Sequence, residues 1–253
     1  VRCTPSPGLV LGVNPIQFGG TVRPEDRLIV AIDEPDTIKA RALIAELQPT
    51  VAWFKVGMTL YFRTGPGFVR DLVSSGADVF LDLKCHDIPH QVEGAVRSLS
   101  DLGVGLITVH TGGGPAMLEA AAKGANGSET KVLGVTVLTS LDAEQLSAVG
   151  ARPEPASLVL QRAALAVECG LDGVVASPLE AGAISAIVPA GFEIVTPGIR
   201  PTGSSAGDQR RVSTPADAIS SGATRLVVGR PITQAPSPVA SAHSVLDAIR
   251  NAT

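Results

Sequence analysis

A single-domain (β/α)8 TIM barrel of the α/β class is the fold this sequence predicts, on three observations. Eight short apolar, β-rich runs alternate with Ala/Leu-rich helical patterns from residue 27 almost to the C-terminus. The runs are apolar at successive positions, as strands of a parallel sheet covered by helices on its faces must be. The length, 253 residues, is ordinary for one such barrel. The expected division is an irregular Pro/Gly-rich arm over residues 1–26 and one barrel domain over residues 27–253. An open doubly wound sheet is the alternative, because alternation alone does not show closure.

In chain order, RLIVAID (27–33) is the first strand and TIKARALIAELQ the helix that follows it. VAWFKVG (51–57) and DVFLDLK (78–84) are the second and third strands, the latter leading into the helical QVEGAVRSLSDLG. LITVHT (106–111) and KVLGVTVL (131–138) come next, then the helix PASLVLQRAALAVECG and the strand GVVASP (173–178). EIVTPGI (193–199), the helical PADAISSG and RLVVGRPI (225–232) complete the alternation. Several helical segments end in glycine, the usual stop. Residues 201–207, PTGSSAG, form the long Gly/Ser-rich loop after the arm.

Charge and cysteine usage exclude several classes of partner. A formal net charge of -4 provides no basic field, so neither nucleic acid nor an anionic membrane surface is expected. Cys3, Cys85 and Cys169 are odd in number, far apart and in no metal-ligand spacing, which fits a reducing cytoplasm. The apolar LVLGV near the start is too short for a signal sequence, and no window approaches the roughly 20 apolar residues of a membrane span. A soluble, unexported protein is expected.

The polar residues carry the functional argument. Asp33, Lys55, Asp82, Lys84, His110, Thr139, Ser177, Arg200 and Arg230 all fall at or just after the C-terminal end of a predicted strand. In a barrel those ends share one rim, and that rim is the active face. In DLKCHD (82–87), Asp82 and Lys84 stand two apart and so point to one side of a strand, with Leu83 opposite. An isolated pair of this kind is read either as a salt bridge closing the barrel or as a site.

An alternating set of two acids and two lysines on three consecutive strands favours the site, since buried ion pairs often lose more to desolvation than they gain. A lysine flanked by acids stays a charged ammonium, suited to donating a proton or stabilising an anion rather than to Schiff-base chemistry. His110 and His243 are most simply structural, and His86 reads as a loop or interface hydrogen-bonder.

In LVVGRPI, Gly229 and Arg230 fall where barrels commonly bind phosphate, after the last two strands. The preceding GIRPTGSSAGDQRR supplies Arg200, Gln209, Arg210 and Arg211, and reads either as a surface loop or as a donor-rich lid. No metal-binding set stands out, because the acids are interleaved with lysines. No G-x-G-x-x-G opens a helix after the first strand, against a dinucleotide fold.

AIDEPD, FKVG, LDLKCHDIP, VLTS, TPGIRP, DQRRV and VVGRPIT, in this order and at these intervals, resemble orotidine 5′-phosphate decarboxylase of the common bacterial type, over about residues 27 to 240. The D-x-K-x-x-D core alone resembles the wider superfamily, which includes Mg²⁺-dependent sugar-phosphate decarboxylases and hexulose-phosphate synthases. The resemblance implies conversion of orotidine 5′-phosphate to UMP and CO₂ with no metal or organic cofactor. It implies Lys84 as proton donor, Asp82 as the carboxylate set against the substrate's own, and Lys55 as the link between charge row and ribose. Asp33 resembles the ribose-hydroxyl acceptor, and Asp87 the acid contributed by the second subunit of a homodimer. Thr139 matches a pyrimidine contact, Ile88 and Gln91 match further substrate contacts, and Arg200, Gln209, Gly229 and Arg230 match phosphate and lid positions. His90 and Gln91 stand where the family often has Asn-Thr. A phosphate-binding barrel without catalysis remains the alternative from a different class.

Overall fold

The computed structural model of the chain describes residues 23–201 and 213–252. Eight parallel strands close into a barrel in sequence order, each hydrogen-bonded to the next and the last to the first. They are β1 (Leu28–Ile32), β2 (Trp53–Gly57), β3 (Asp78–Cys85), β4 (Leu106–His110), β5 (Lys131–Val135), β6 (Gly173–Val175), β7 (Glu193–Thr196) and β8 (Arg225–Val228). Every expected strand is present and the open sheet is ruled out. The expected helices form at Thr37–Leu47, Pro89–Ser100, Pro155–Glu168 and Pro215–Ser220. Gly103 and Gly170, which follow two of these helices, adopt φ of 77° and 75°, the left-handed turn a side chain would resist.

Pleating divides each strand between two cores. Ile29, Ala31, Trp53, Phe80, Leu106, Leu133, Val195 and Val227 fill the barrel interior. Their neighbours Leu28, Val30, Phe54, Val79, Leu81 and Ile107 face outward and pack beneath the helices. This double burial is why the strands read as continuous apolar runs.

The last turn of the segment expected to be an irregular arm is helical, over Pro24–Arg27. Proline at the first helical position and acids in the first turn favour that start. The turn is tied to the barrel: Arg225 donates to the Asp26 carbonyl at 2.7 Å, and Arg250 pairs with Glu25 at 2.6 Å. Residues 1–22 lie outside the described residues.

An ionic plug closes the barrel beneath its interior core. Glu193, buried at the start of β7, accepts from Lys131 at 2.8 Å and Thr224 at 2.7 Å and pairs with Arg225 at 3.3 Å. The Arg225 guanidinium also stacks 4.3 Å from the Trp53 ring centre. Burial opposes ionisation of Glu193, but Arg225, Lys131 and Thr224 outweigh it and hold the carboxyl below its ordinary 4.5. Glu193→Gln should therefore cost roughly 2–4 kcal/mol at neutral pH, because it strands the largely covered guanidinium of Arg225. The Glu193 contribution is fully present above 4.5 and is lost as pH falls through the depressed folded value. Denaturant melts across that acid range should show a shallower pH dependence in the variant; an unchanged slope would contradict the assignment.

Candidate active site

Four charged side chains meet at the other mouth, three of them because the pleat stacks them above the interior core. Asp33 stands two residues beyond inward-facing Ala31, Lys55 two beyond Trp53, and Asp82 two beyond Phe80. Lys55 Nζ lies 3.0 Å from Asp33 Oδ1 and 3.7 Å from Asp82 Oδ2. Lys84 Nζ donates to Asp82 Oδ1 at 2.8 Å. Acid and base thus alternate along one continuous row. Gly57 leaves room for it, since a Cβ there would sit 3.1 Å from Lys55 Nζ and 3.4 Å from Asp33 Oδ1.

Lys84 reaches the row through a distorted backbone. Its φ of 52° is the only positive value at a non-glycine among the described residues, and such a conformation costs on the order of 1–3 kcal/mol. The strand register explains it: Leu81 pairs with Ile107 and Cys85 with Val109, so Asp82, Leu83 and Lys84 together face the single residue Thr108. Extra residues of this kind bend a strand and re-aim its side chains. Leu83 turns away and packs against the outer core. Fully buried Thr108 accepts the Lys84 amide N–H at 2.9 Å and donates its own hydroxyl to Asp82 Oδ1 at 3.0 Å.

Burial pushes the Asp82 carboxyl up, but the charges of Lys55 and Lys84, with hydrogen bonds from Lys84 and Thr108, outweigh it and hold the group below its ordinary 3.8. A largely covered acid so placed is a fixed negative charge at neutral pH.

The row lines a cavity of about 490 Å³, within the range of small-molecule sites. Phe80, Val135, Val175 and Val227 contribute its apolar wall, and Thr139, Arg200, Gly229 and Arg230 also line it. Gly229 follows β8 and leads into the helical turn Arg230–Thr233. The Arg200 amide donates to the Ser213 carbonyl at 2.9 Å. Burial, and then the nearby charge of Arg230, lower the Arg200 guanidinium from its ordinary value. Two arginines that repel each other across one part of a cavity suit an anion.

Other expected residues lie elsewhere. Asp87, Ile88 and Gln91 are exposed and outside the cavity wall, because past Cys85 the chain leaves the barrel and Pro89 opens the helix Pro89–Ser100. Asp87 Oδ1 accepts the Ile88 amide at 2.6 Å. Ser177 is buried off the cavity, accepting the Leu179 amide at 3.2 Å. Gln209, Arg210 and Arg211 lie outside the described residues. Among the described residues, no group of three or more His, Cys, Asp or Glu is placed to hold a metal ion.

Residues 26–245 match the family model described as orotidine 5′-phosphate decarboxylase / HUMPS family. The chain belongs to that family. It is 50% identical over 221 residues to orotidine 5′-phosphate decarboxylase of Halorhodospira halophila, covering 87% of this chain and 94% of the relative. It is 48% identical over 232 residues to the protein of the same name from Rhodopseudomonas palustris, covering 92% and 98%. The crystal structure of orotidine 5′-phosphate decarboxylase from Lactobacillus acidophilus superposes with a TM-score of 0.79 at 35% identity, covering 88% of this chain and 98% of that one.

Within this decarboxylase-family site, Thr108 is the residue that sequence reading missed. Its signal was present: it stands two beyond inward-facing Leu106 in LITVH, beside the D-x-K strand. His110, by contrast, has a structural setting. Its ring stacks on His86 with centroids 5.4 Å apart, and its Nδ1 accepts the Gly112 amide at 3.0 Å. Burial, then Arg162, His86 and Lys84, lower it to about 4. An NMR titration should find the His110 imidazole neutral from pH 7 downward until near that value; a midpoint at the ordinary 6.5 would contradict this environment.

Proposed function

We propose that this protein decarboxylates orotidine 5′-phosphate to UMP and CO₂, the last step of de novo pyrimidine nucleotide synthesis. The observation that carries the reading is the Asp33, Lys55, Asp82, Lys84 row at the mouth of a cavity that two arginines also line. Relatives about half identical to this chain bear the decarboxylase name across almost their full length.

Losing CO₂ without an electron sink leaves a pyrimidine carbanion, so the site must present a cation before the charge develops. Lys84 has that place and, as an ammonium, carries the proton that the carbanion then takes. Asp82 holds Lys84 and Lys55 in position and stands against the substrate carboxylate. Lys55 and Asp33 serve the ribose side and Thr139 the pyrimidine. Arg200, Gly229 and Arg230 take the phosphate. A unit charge pair about 4 Å apart at an effective dielectric near 20 is worth roughly 4 kcal/mol. Enzymes remove roughly 8–23 kcal/mol from a barrier. The balance comes from preorganisation of the whole row and from binding energy at the remote phosphate. No metal or organic cofactor has a part in this scheme.

The reading extends to a homodimer in which Asp87 completes the partner's site, with Ile88 and Gln91 beside it. Its support is the exposure of apolar side chains on the segments after the adjacent strands β2 and β3: Phe62 is 76% exposed, Ile88 63% and Met58 47%. A cytoplasmic setting is supported by the free thiols of Cys85 and Cys169. Among the described residues, no helix is long and apolar enough to cross a membrane.

Turnover of orotidine 5′-phosphate should persist in excess EDTA; dependence on added Mg²⁺ would favour the sugar-phosphate chemistry that the family description also covers. Lys84→Ala should lower kcat at least about 1,000-fold while calorimetry still detects UMP binding, and substantial residual turnover would remove Lys84 from its role. Mixed Asp87→Ala and Lys84→Ala chains should regain part of the activity that each lacks alone. Confirmed mixed dimers without recovery would exclude a shared site.

A further inference from the structure

We infer that Thr108 is a positioning residue for the decarboxylation, its hydroxyl setting both the backbone of Lys84 and the carboxylate of Asp82; this rests on the function proposed above. The strand register leaves one β4 residue, Thr108, to serve three on β3. A regular parallel ladder would hold the Lys84 amide on a backbone carbonyl. Here that N–H goes instead to Thr108 Oγ1 at 2.9 Å, and the same hydroxyl donates a hydrogen bond to Asp82 Oδ1 at 3.0 Å. Lys84 Nζ meets that same Oδ1 at 2.8 Å. The Lys84 main chain is therefore tied to one carboxylate oxygen through the Thr108 hydroxyl and its side chain to the same oxygen directly, in a closed loop of three hydrogen bonds.

The geometry gives the hydroxyl a task that neither charge can perform. Lys84 is held at a φ of 52° that few side-chain-bearing residues adopt, and such a conformation persists only when its surroundings over-determine it. Without the acceptor on Thr108, the amide has an incentive to rotate back toward regular strand geometry, which would swing the ammonium off Asp82. Thr108 is itself fully buried, so its hydroxyl is held in one place by the packing around it. Valine has nearly the same shape but no hydroxyl, whereas serine keeps the hydroxyl and loses only a methyl group.

Thr108→Val, Thr108→Ser and the parent enzyme should be compared in one decarboxylation assay, with UMP affinity by calorimetry and folding by circular dichroism. The expected result is a kcat at least about tenfold lower for Thr108→Val, with KM and UMP affinity within about twofold of the parent. Thr108→Ser should retain kcat within about threefold. Equal losses in valine and serine variants, or a valine variant as fast as the parent, would overturn the assignment. So would a fall in UMP affinity that matches the fall in kcat. If Thr108→Val does not fold, Thr108→Ala takes its place; failure of both to fold beside a fully active Thr108→Ser would assign the hydroxyl to stability alone and equally overturn the proposal. A parent enzyme that does not turn over orotidine 5′-phosphate would instead overturn the proposed function.

Discussion

The carboxylate of Asp82, buried between the ammonium groups of Lys55 and Lys84, is the interaction on which the rest of the site depends. Left alone, a buried acid would be driven to its neutral form, and two lysines at this separation would repel. The charges of Lys55 and Lys84 outweigh that burial, which is why Asp82 lies below its ordinary pKa. Asp33 extends the row to the cavity rim. A charge held in this way is present before any reaction begins, which distinguishes a preorganised site from one that must reorganise around its substrate.

The arrangement has a structural cost that the barrel carries elsewhere. Lys84 occupies a strained left-handed backbone at an irregularity of the β3–β4 pairing, and buried ion pairs contribute little net stability. The compensating packing lies in the two apolar shells, inside the barrel and beneath the helices. The two ends of the barrel are thereby divided: the Glu193, Arg225 and Trp53 plug holds one, and the charge row and cavity occupy the other. Conformational and electrostatic strain gathers at the functional end, as expected where sequence-level rules are locally broken.

Much of this was legible in the sequence because strand periodicity is simple. Eight apolar runs became eight strands, and the two-residue step beyond Ala31, Trp53 and Phe80 brought Asp33, Lys55 and Asp82 together. The Asp82–Lys84 contact nevertheless forms through a backbone that periodicity does not describe. A regular strand would have placed the two side chains in parallel; the actual register opposes three residues to one and brings Lys84 back on Asp82. That detail depends on pairing with β4, a non-local fact, and for the same reason Thr108 escaped notice. Asp87, Ile88 and Gln91 lie beyond the strand, where its period no longer says which way a side chain points.

The central claim is that the fixed ammonium of Lys84 stabilises a pyrimidine carbanion and exchanges a proton with it. By microscopic reversibility, such a site must also loosen the proton that the product has gained at that carbon. The direct measurement is proton NMR of UMP incubated with the enzyme in D₂O. The account predicts enzyme-dependent loss of that one ring proton signal to deuterium, abolished in Lys84→Ala. A parent enzyme that turns over substrate yet leaves the signal no faster to exchange than free UMP would contradict it.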